Sequence, residues 1–462
     1  MDSGHCGKES AMAHPMFTYD ESFTNAVFEY CRERLRDDAP LDYGSHAPTP
    51  LPSLEGLISD DGRDPHEILA LWRDHLAPHV VSVDSPGFLA FIPNAPTEYS
   101  LLFDMIVACS GLNGTSWLEA AGVVAAENQA LDFLARRAGM PSGTGGAFVS
   151  GGSIGNLSAL TVARDVGRAR HPDLAPHAVR IAISADAHSS IGKALHVIGV
   201  EPLLVEPDDH RFTRETLENA LTNDPHPETI VGVVATAGTT NAGIVDDLEG
   251  LGALARERGW WFHVDGAYGG AAMFSSAADE FRGLRHADSF IVDPHKWLFA
   301  PLDCCALLWR DPATARDVLA QQAGYLDVLH QDDDVDWNPS DFAIMLSRRA
   351  RGLPFWFSLV TYGTSHYESA VQRGIDLAHY AATLIDSSDH LELVRPAGLS
   401  VVLFRRPGWS DQDYTAWSAD LLRRQIAFVT PTKWEGETVA RIAFMHPDTS
   451  DELVREILES LR

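Results

Sequence analysis

Between residues 179 and 309 the chain alternates short apolar runs with stretches of helical spacing. That alternation restricts the fold more than any other feature of its 462 residues. Apolar runs fall near 179–184, 202–205, 230–235, 261–264, 290–292 and 305–309, and helical spacing fills intervals near 191–198, 213–221 and 248–258. Strands separated by helices form a largely parallel sheet with helices on both faces, an α/β architecture. Ligands in such folds sit at the carboxyl ends of the strands.

Two of those ends carry chemistry. The run ending at Val264 delivers Asp265, followed by Gly266-Ala267-Tyr268-Gly269-Gly270. The run Ser289-Phe290-Ile291-Val292 is followed by Asp293-Pro294-His295-Lys296-Trp297. Pro294 cannot continue the ladder, so Lys296 falls at a strand end, in a setting that reads as largely apolar. Desolvation there is expected to lower the amine's pKa and free it as a nucleophile. A lysine able to form a Schiff base, with a carboxylate to keep a pyridine nitrogen protonated, suits a pyridoxal phosphate site.

With His263-Val264-Asp265-Gly266-Ala267-Tyr268 and Asp293-Pro294-His295-Lys296-Trp297 in this order, the chain resembles the group II pyridoxal-phosphate-dependent amino-acid decarboxylases. These include the aromatic-L-amino-acid, glutamate and diaminobutyrate enzymes. The resemblance runs from about residue 85 to the C-terminus and implies fold type I, with a mostly parallel seven-stranded sheet. It makes Lys296 the cofactor lysine and Asp265 the partner of the ring nitrogen. His188 would stack on the ring, Ala267 would pack on its other face, and Thr240 lies in the threonine-rich turn beside it. Gly151, Gly152 and Ser153 match the phosphate turn, where glycines at a helix start let amides approach an anion. Ile154 departs from the acidic residue usual in the family. Asp293 and His295 stand where relatives contribute phosphate contacts. Tyr325 matches the tyrosine of a loop that closes over the neighbouring subunit and returns the proton. Phe91, Ile92 and Pro93 match the substrate side-chain segment. Asn113 and Thr115, before Trp117, stand where aromatic decarboxylases carry apolar residues, which makes the pocket more polar.

Organisation and composition complete the expectation. Residues 1–84 read as an N-terminal arm with helices near 17–37 and 65–76, which by resemblance wraps a partner subunit. Residues 85–364 read as the large cofactor domain, with further helices near 101–109 and 120–137 and a long one through 347–362. Residues 365–462 read as a small α+β domain. The polar stretch 321–338 reads as a mobile segment. A net charge of -30 argues against nucleic acid and anionic membranes. Five cysteines, two of them adjacent, form no disulfide or zinc pattern, so a reducing cytoplasm is expected. The function expected is decarboxylation of an aromatic amino acid by a homodimer with shared active sites. The alternatives are an aromatic aldehyde synthase, which the tyrosine at 325 opposes, and a decarboxylase of a non-aromatic amino acid.

Overall fold

The computed structural model describes residues 14–36, 41–321 and 337–462. The chain divides into two compact units, residues 1–82 and 83–462.

The first unit holds α1 (Glu21–Arg36) and α2 (Pro65–Leu71). Helix α1 starts later than its apolar spacing suggests because the Asp20 side chain accepts the Phe23 N–H (2.9 Å), capping it there. Asp64 caps α2 in the same way, with Pro65 in the first turn. The expected single helix to residue 76 instead loosens into a π-helical turn, Trp72–Leu76. Neither α1 nor α2 contains a buried residue.

The second unit begins with α3 (Glu98–Cys109) and α4 (Trp117–Arg137). Trp117 opens α4 rather than preceding it, because Ser116 accepts the Glu119 N–H and sets the start. Seven strands follow: β1 (Gly145–Val149), β2 (Arg180–Ser184), β3 (Glu201–Val205), β4 (Ile230–Thr236), β5 (Trp261–Asp265), β6 (Ser289–Val292) and β7 (Cys305–Trp309). They form one sheet in the order β1-β7-β6-β5-β4-β2-β3, parallel except for β7. Between them lie α5 (Gly152–Arg170), α6 (Ser189–Ile198), α7 (Arg214–Asn223) and α8 (Leu248–Arg258). Both sheet faces are buried: Val233, Ala235, Phe262 and Val264 face one core, and Val231, Val234, Trp261 and Ile291 the other. That explains apolar runs without polar alternation.

Helices α9 (Pro312–Leu319), α10 (Leu353–Tyr362) and α11 (Thr364–Asp386) follow. The long helix expected through 347–362 begins only at Leu353. Upstream, Gly114 N–H donates to the Arg348 carbonyl and Arg348 N–H to Thr115 Oγ1, so long-range pairing overrides helical spacing. The C-terminal part has a four-stranded antiparallel sheet of β8 (Glu392–Leu393), β9 (Val401–Arg405), β10 (Thr432–Trp434) and β11 (Glu437–Ala443), in the order β10-β11-β9-β8. Helices α12 (Asp411–Arg423) and α13 (Asp451–Glu459) pack on it. The β10–β11 hairpin, unforeseen from the sequence, turns on Glu435 and Gly436, both at positive φ.

Candidate active site

Strand β6 stops at Val292 and the chain turns tightly, with the Lys296 N–H donating to the Asp293 carbonyl (2.9 Å). The turn brings Lys296 Nζ to 2.9 Å from Asp293 Oδ2. The setting is therefore not the largely apolar one expected, and the amine is not lowered. Burial opposes its charge, but the Asp293 carboxylate prevails and raises the Lys296 pKa above 10.5. Burial likewise pushes Asp293 up, yet Lys296 and His295 prevail and hold its carboxyl below the usual range. Asp293 Oδ1 has no hydrogen-bond partner. His295 takes a backbone N–H from Cys304 on Nδ1 and turns Nε2 toward Asp293 (3.5 Å). Burial lowers its pKa.

Lys296 lines a cavity of about 310 Å³ together with Ser150, Gly151, Gly152, Ser153, His188, Thr240, Asp265, Ala267, Asp293 and His295. The sequence-derived cofactor residues thus share one wall. Helix α5 opens on this cavity with no capping bond from Gly151; the Gly152 N–H donates to Asp293 Oδ2 (3.4 Å), so the neighbouring N-terminal amides are the ones placed to meet a ligand. Gly155 lets α5 approach β6, since a Cβ there would lie 2.8 Å from an Ile291 methyl. Gly238, at φ +102, likewise permits the turn after β4 to touch Gly269, which no side chain would allow.

Asp265 is buried, with Oδ1 accepting the Ala267 N–H (3.0 Å) and Oδ2 the Asn156 amide (2.9 Å). His188 caps α6 through Nδ1, which accepts the Ser190 N–H (3.2 Å) and meets Ser190 Oγ (2.8 Å). The bland role of a histidine at a helix start and a place on the cavity wall coincide in one side chain.

Lys296 and His295 also line a second cavity of about 180 Å³, with Phe88, Phe91, Ile92, Pro93 and Leu302. Phe88, Phe91 and Phe428 form an aromatic cluster with centroids 5.1 to 6.5 Å apart. Asn113, Thr115 and Trp117 line neither cavity. Asn113 donates to Glu119 (2.7 Å), Thr115 accepts from Arg348, and the Trp117 N–H donates to Asn338 (3.0 Å). Tyr325 lies outside the described residues.

Sequence reasoning missed Asn156, His263 and Arg441. His263 sits two residues before Asp265, so strand period alone places both on the α5 face of the sheet. Asn156 is one helical turn beyond Gly152, a spacing that also could have flagged it. Arg441 of β11 is buried and donates to the Phe91 (2.7 Å), Thr240 and Asn241 (3.2 Å) carbonyls, joining the rims of the two cavities. No local signal announced that. Burial lowers its pKa to about 10.

The donor set fits pyridoxal phosphate: an amine for an aldehyde, a glycine-rich helix start for a phosphate, and a buried carboxylate for a ring nitrogen. Asp293 does not fit the expected phosphate contact, because its charge would repel that dianion. The structure makes it the counter-ion of Lys296.

A profile described as the pyridoxal-dependent decarboxylase conserved domain matches residues 51–406. An aromatic-L-amino-acid decarboxylase of Bacillus atrophaeus is 30% identical over 422 residues, covering 88% of this chain and 87% of that one. An L-2,4-diaminobutyrate decarboxylase of Rhizobium meliloti is 29% identical over 459 residues, covering 95% and 91%. Among solved structures, that of Oryza sativa TDC with PLP and tryptamine superposes with a TM-score of 0.88 at 22% identity, over 96% of this chain and 99% of that one.

Proposed function

The chain belongs to the pyridoxal-dependent decarboxylase family, and from that premise we propose that its substrate is an aromatic L-amino acid. The activity is pyridoxal-phosphate-dependent decarboxylation: amino acid plus one proton gives the amine and CO₂. The observation that carries the aromatic reading is the placement of Lys296 where the cavity at the start of α5 meets an apolar, phenylalanine-lined one.

When bound, pyridoxal phosphate supplies a ring that accepts the electron pair left by the departing carboxylate. The protein's residues do the rest. Lys296 would hold the cofactor through its aldehyde, and Asp293 compensates the ammonium charge while the amine is free. Gly151, Gly152 and Ser153 bind the phosphate at the α5 N-terminus. Asp265 holds the proton on the ring nitrogen, and Ala267, Thr240 and His188 fix the ring plane. Phe88, Phe91 and Ile92 bind an aromatic side chain and exclude water. Tyr325, by resemblance, returns the proton to Cα.

The working form is a homodimer. An α1 that buries none of its residues, although Phe23, Val27 and Phe28 recur at helical spacing, needs an apolar partner, and a second copy is the simplest one. Residues 1–84 would be the arm, 85–364 the large domain and 365–462 the small one. The unpaired Cys304 and Cys305 support a reducing cytoplasm; among the described residues no helix is long and apolar enough to cross a membrane.

A polar substrate is the second reading, favoured by the diaminobutyrate-acting relative. A panel of aromatic, acidic and diamino acids, assayed for CO₂, amine and aldehyde, separates the readings. Turnover of tryptophan or tyrosine above all others is expected, and preference for a diamino acid would overturn the aromatic assignment. Tyr325→Phe is expected to shift product from amine to aldehyde, ammonia and peroxide; amine alone at full rate would remove Tyr325 from the proton's path.

A further inference from the structure

We propose that Asn156 and His263 are positioning residues that fix where the protons sit on the two side chains facing the cofactor, Asp265 and His188. The inference rests on the assignment of those two residues to the cofactor.

A chain of hydrogen bonds runs through the molecule from Trp261 to Asp265 and His188, and its polarity has one solution. Trp261 Nε1 can only donate, and it donates to Ser289 Oγ (2.9 Å). At the other end, both Asp265 oxygens accept, so the Asn156 amide must turn its nitrogen to Oδ2 (2.9 Å). Asn156 Oδ1 then faces His263 Nε2 (2.9 Å), which must carry the imidazole hydrogen. His263 Nδ1 is left to accept from Ser289 Oγ (2.9 Å). The second Asn156 hydrogen goes to Ser190 Oγ (3.1 Å), whose own hydrogen goes to His188 Nδ1. Since Nδ1 also accepts the Ser190 N–H, the hydrogen of the neutral His188 ring sits on Nε2.

Asn156, Ser190, Trp261, His263, Asp265 and Ser289 are all buried, and Trp261, His263 and Ser289 lie behind the cavity wall, so a partner lost there is not simply replaced by solvent. Burial holds the His263 pKa down, at about 4, consistent with one hydrogen on this ring. The other ionisable groups lining the cavity with Asp265 are Tyr268 after β5, Asp293, His295 and Lys296 after β6, and His188 at the start of α6.

The test reads cofactor affinity and spectrum rather than turnover. Apoprotein is titrated with pyridoxal phosphate, following tryptophan fluorescence, and the bound cofactor's absorbance is then titrated with pH. Asn156→Asp keeps the shape but sets a second carboxylate against Asp265. It should weaken binding by about tenfold or more at neutral pH and regain affinity as pH falls, since adjacent carboxylates share a proton. His263→Leu should weaken binding and shift the absorbance titration, whereas His263→Gln, which keeps a donor, should restore both. If Asn156→Asp fails to fold, Asn156→Ser is measured instead, with weaker binding again expected. Variants that bind within about twofold of wild type and titrate at its pH would overturn the inference, because a twofold change is under 0.5 kcal/mol. Asp265→Asn separates this failure from a deeper one. If it too leaves affinity and spectrum unchanged, the assignment of Asp265 to the cofactor is wrong as well.

Discussion

Two ion pairs of the second unit, of nearly equal length, differ in construction. Arg348 and Glu127 meet at 2.7 Å with side chains 3% and 2% exposed. Both Glu127 oxygens are used, one by Arg348 and the other by the Gly352 N–H (2.8 Å), and Arg348 also donates to the Gly114 carbonyl. Lys296 and Asp293 meet at 2.9 Å, but the lysine is a quarter exposed to its cavity and Asp293 Oδ1 is left without a partner. The first pair joins α4 to the approach to α10 through a planar, multiply bonded guanidinium. The second uses a compact ammonium on a flexible stem, whose partner changes when an aldehyde takes the amine. Each pair leaves one buried atom without a partner, Arg348 Nε and Asp293 Oδ1, so what separates them is access: the first is closed off from solvent, and the second lines a cavity from which an aldehyde can take the amine.

The comparison breaks most visibly at Lys296. Lys296→Ala should abolish turnover and the borohydride-reducible cofactor linkage, with a smaller loss of thermal stability than a sealed pair would show, because the stranded Asp293 carboxylate borders a cavity that water can enter. Peptide mapping that finds the reduced cofactor on Lys193 would remove Lys296 from the chemistry. Glu127→Ala should do the reverse and destabilise the fold by about 3–5 kcal/mol, because it strands a buried guanidinium. Urea unfolding measures it, and a loss below about 1 kcal/mol, the range of exposed pairs, would mean that Arg348 finds another partner. Arg348→Lys keeps the charge but loses the fork to Gly114, for an expected loss of about 2 kcal/mol, one charged hydrogen bond.

The smallest effect concerns protonation. Lys296 has a folded pKa raised above its unfolded 10.5, so its contribution to stability is complete below that value and is lost as pH rises through the folded one. Asp293 has a folded pKa below its unfolded 3.8, so its contribution is present above that value and is lost as pH falls through the folded one. Apoprotein stability should therefore be insensitive to this pair across the neutral range. Cofactor loading should not be, because only the free amine reacts. Its rate should rise about tenfold per pH unit from 7 to 9, the slope of a single amine well below its pKa. Asp293→Asn removes the main attraction that opposes burial and leaves the weaker one of Asp265, so loading at pH 7 should accelerate. Stopped-flow absorbance on the apoprotein reads both, and a rate independent of pH would mean that the pair is already open in solution.

Much of this was legible in the chain. The six apolar runs became six strands; for all but the edge strand β3, whose Leu204 is exposed, burial on both sheet faces leaves a local mark, an uninterrupted run bounded by turn residues. The phosphate turn was legible because glycines before a helix state a backbone requirement. Asp265 and Lys296 were placed at strand ends by the same local logic. The hairpin at Glu435-Gly436 was missed because its signal lies in two residues and its first strand has only three. The Arg348 segment misled because its helical spacing is genuine but loses to backbone pairing with Gly114 and Thr115.

Local pattern also reports whether a residue is buried, but not what it is buried against. Lys296 shows the limit: its desolvation could be read from neighbours, while the sign of its shift depended on how a turn aims the Asp293 carboxylate. Asn156 and Asp265 are 109 residues apart, and Glu127 and Arg348 are 221 apart. Their meeting depends on α5 crossing the end of β5 and on α4 lying beside the approach to α10. The sequence by itself determined the elements, the ends that carry chemistry and the cofactor those ends suit, because these follow from periodicity and turn chemistry within a few residues. Only the tertiary structure decided partners, tautomers and charge, because each depends on distances of about 3 Å between residues that the chain order keeps far apart.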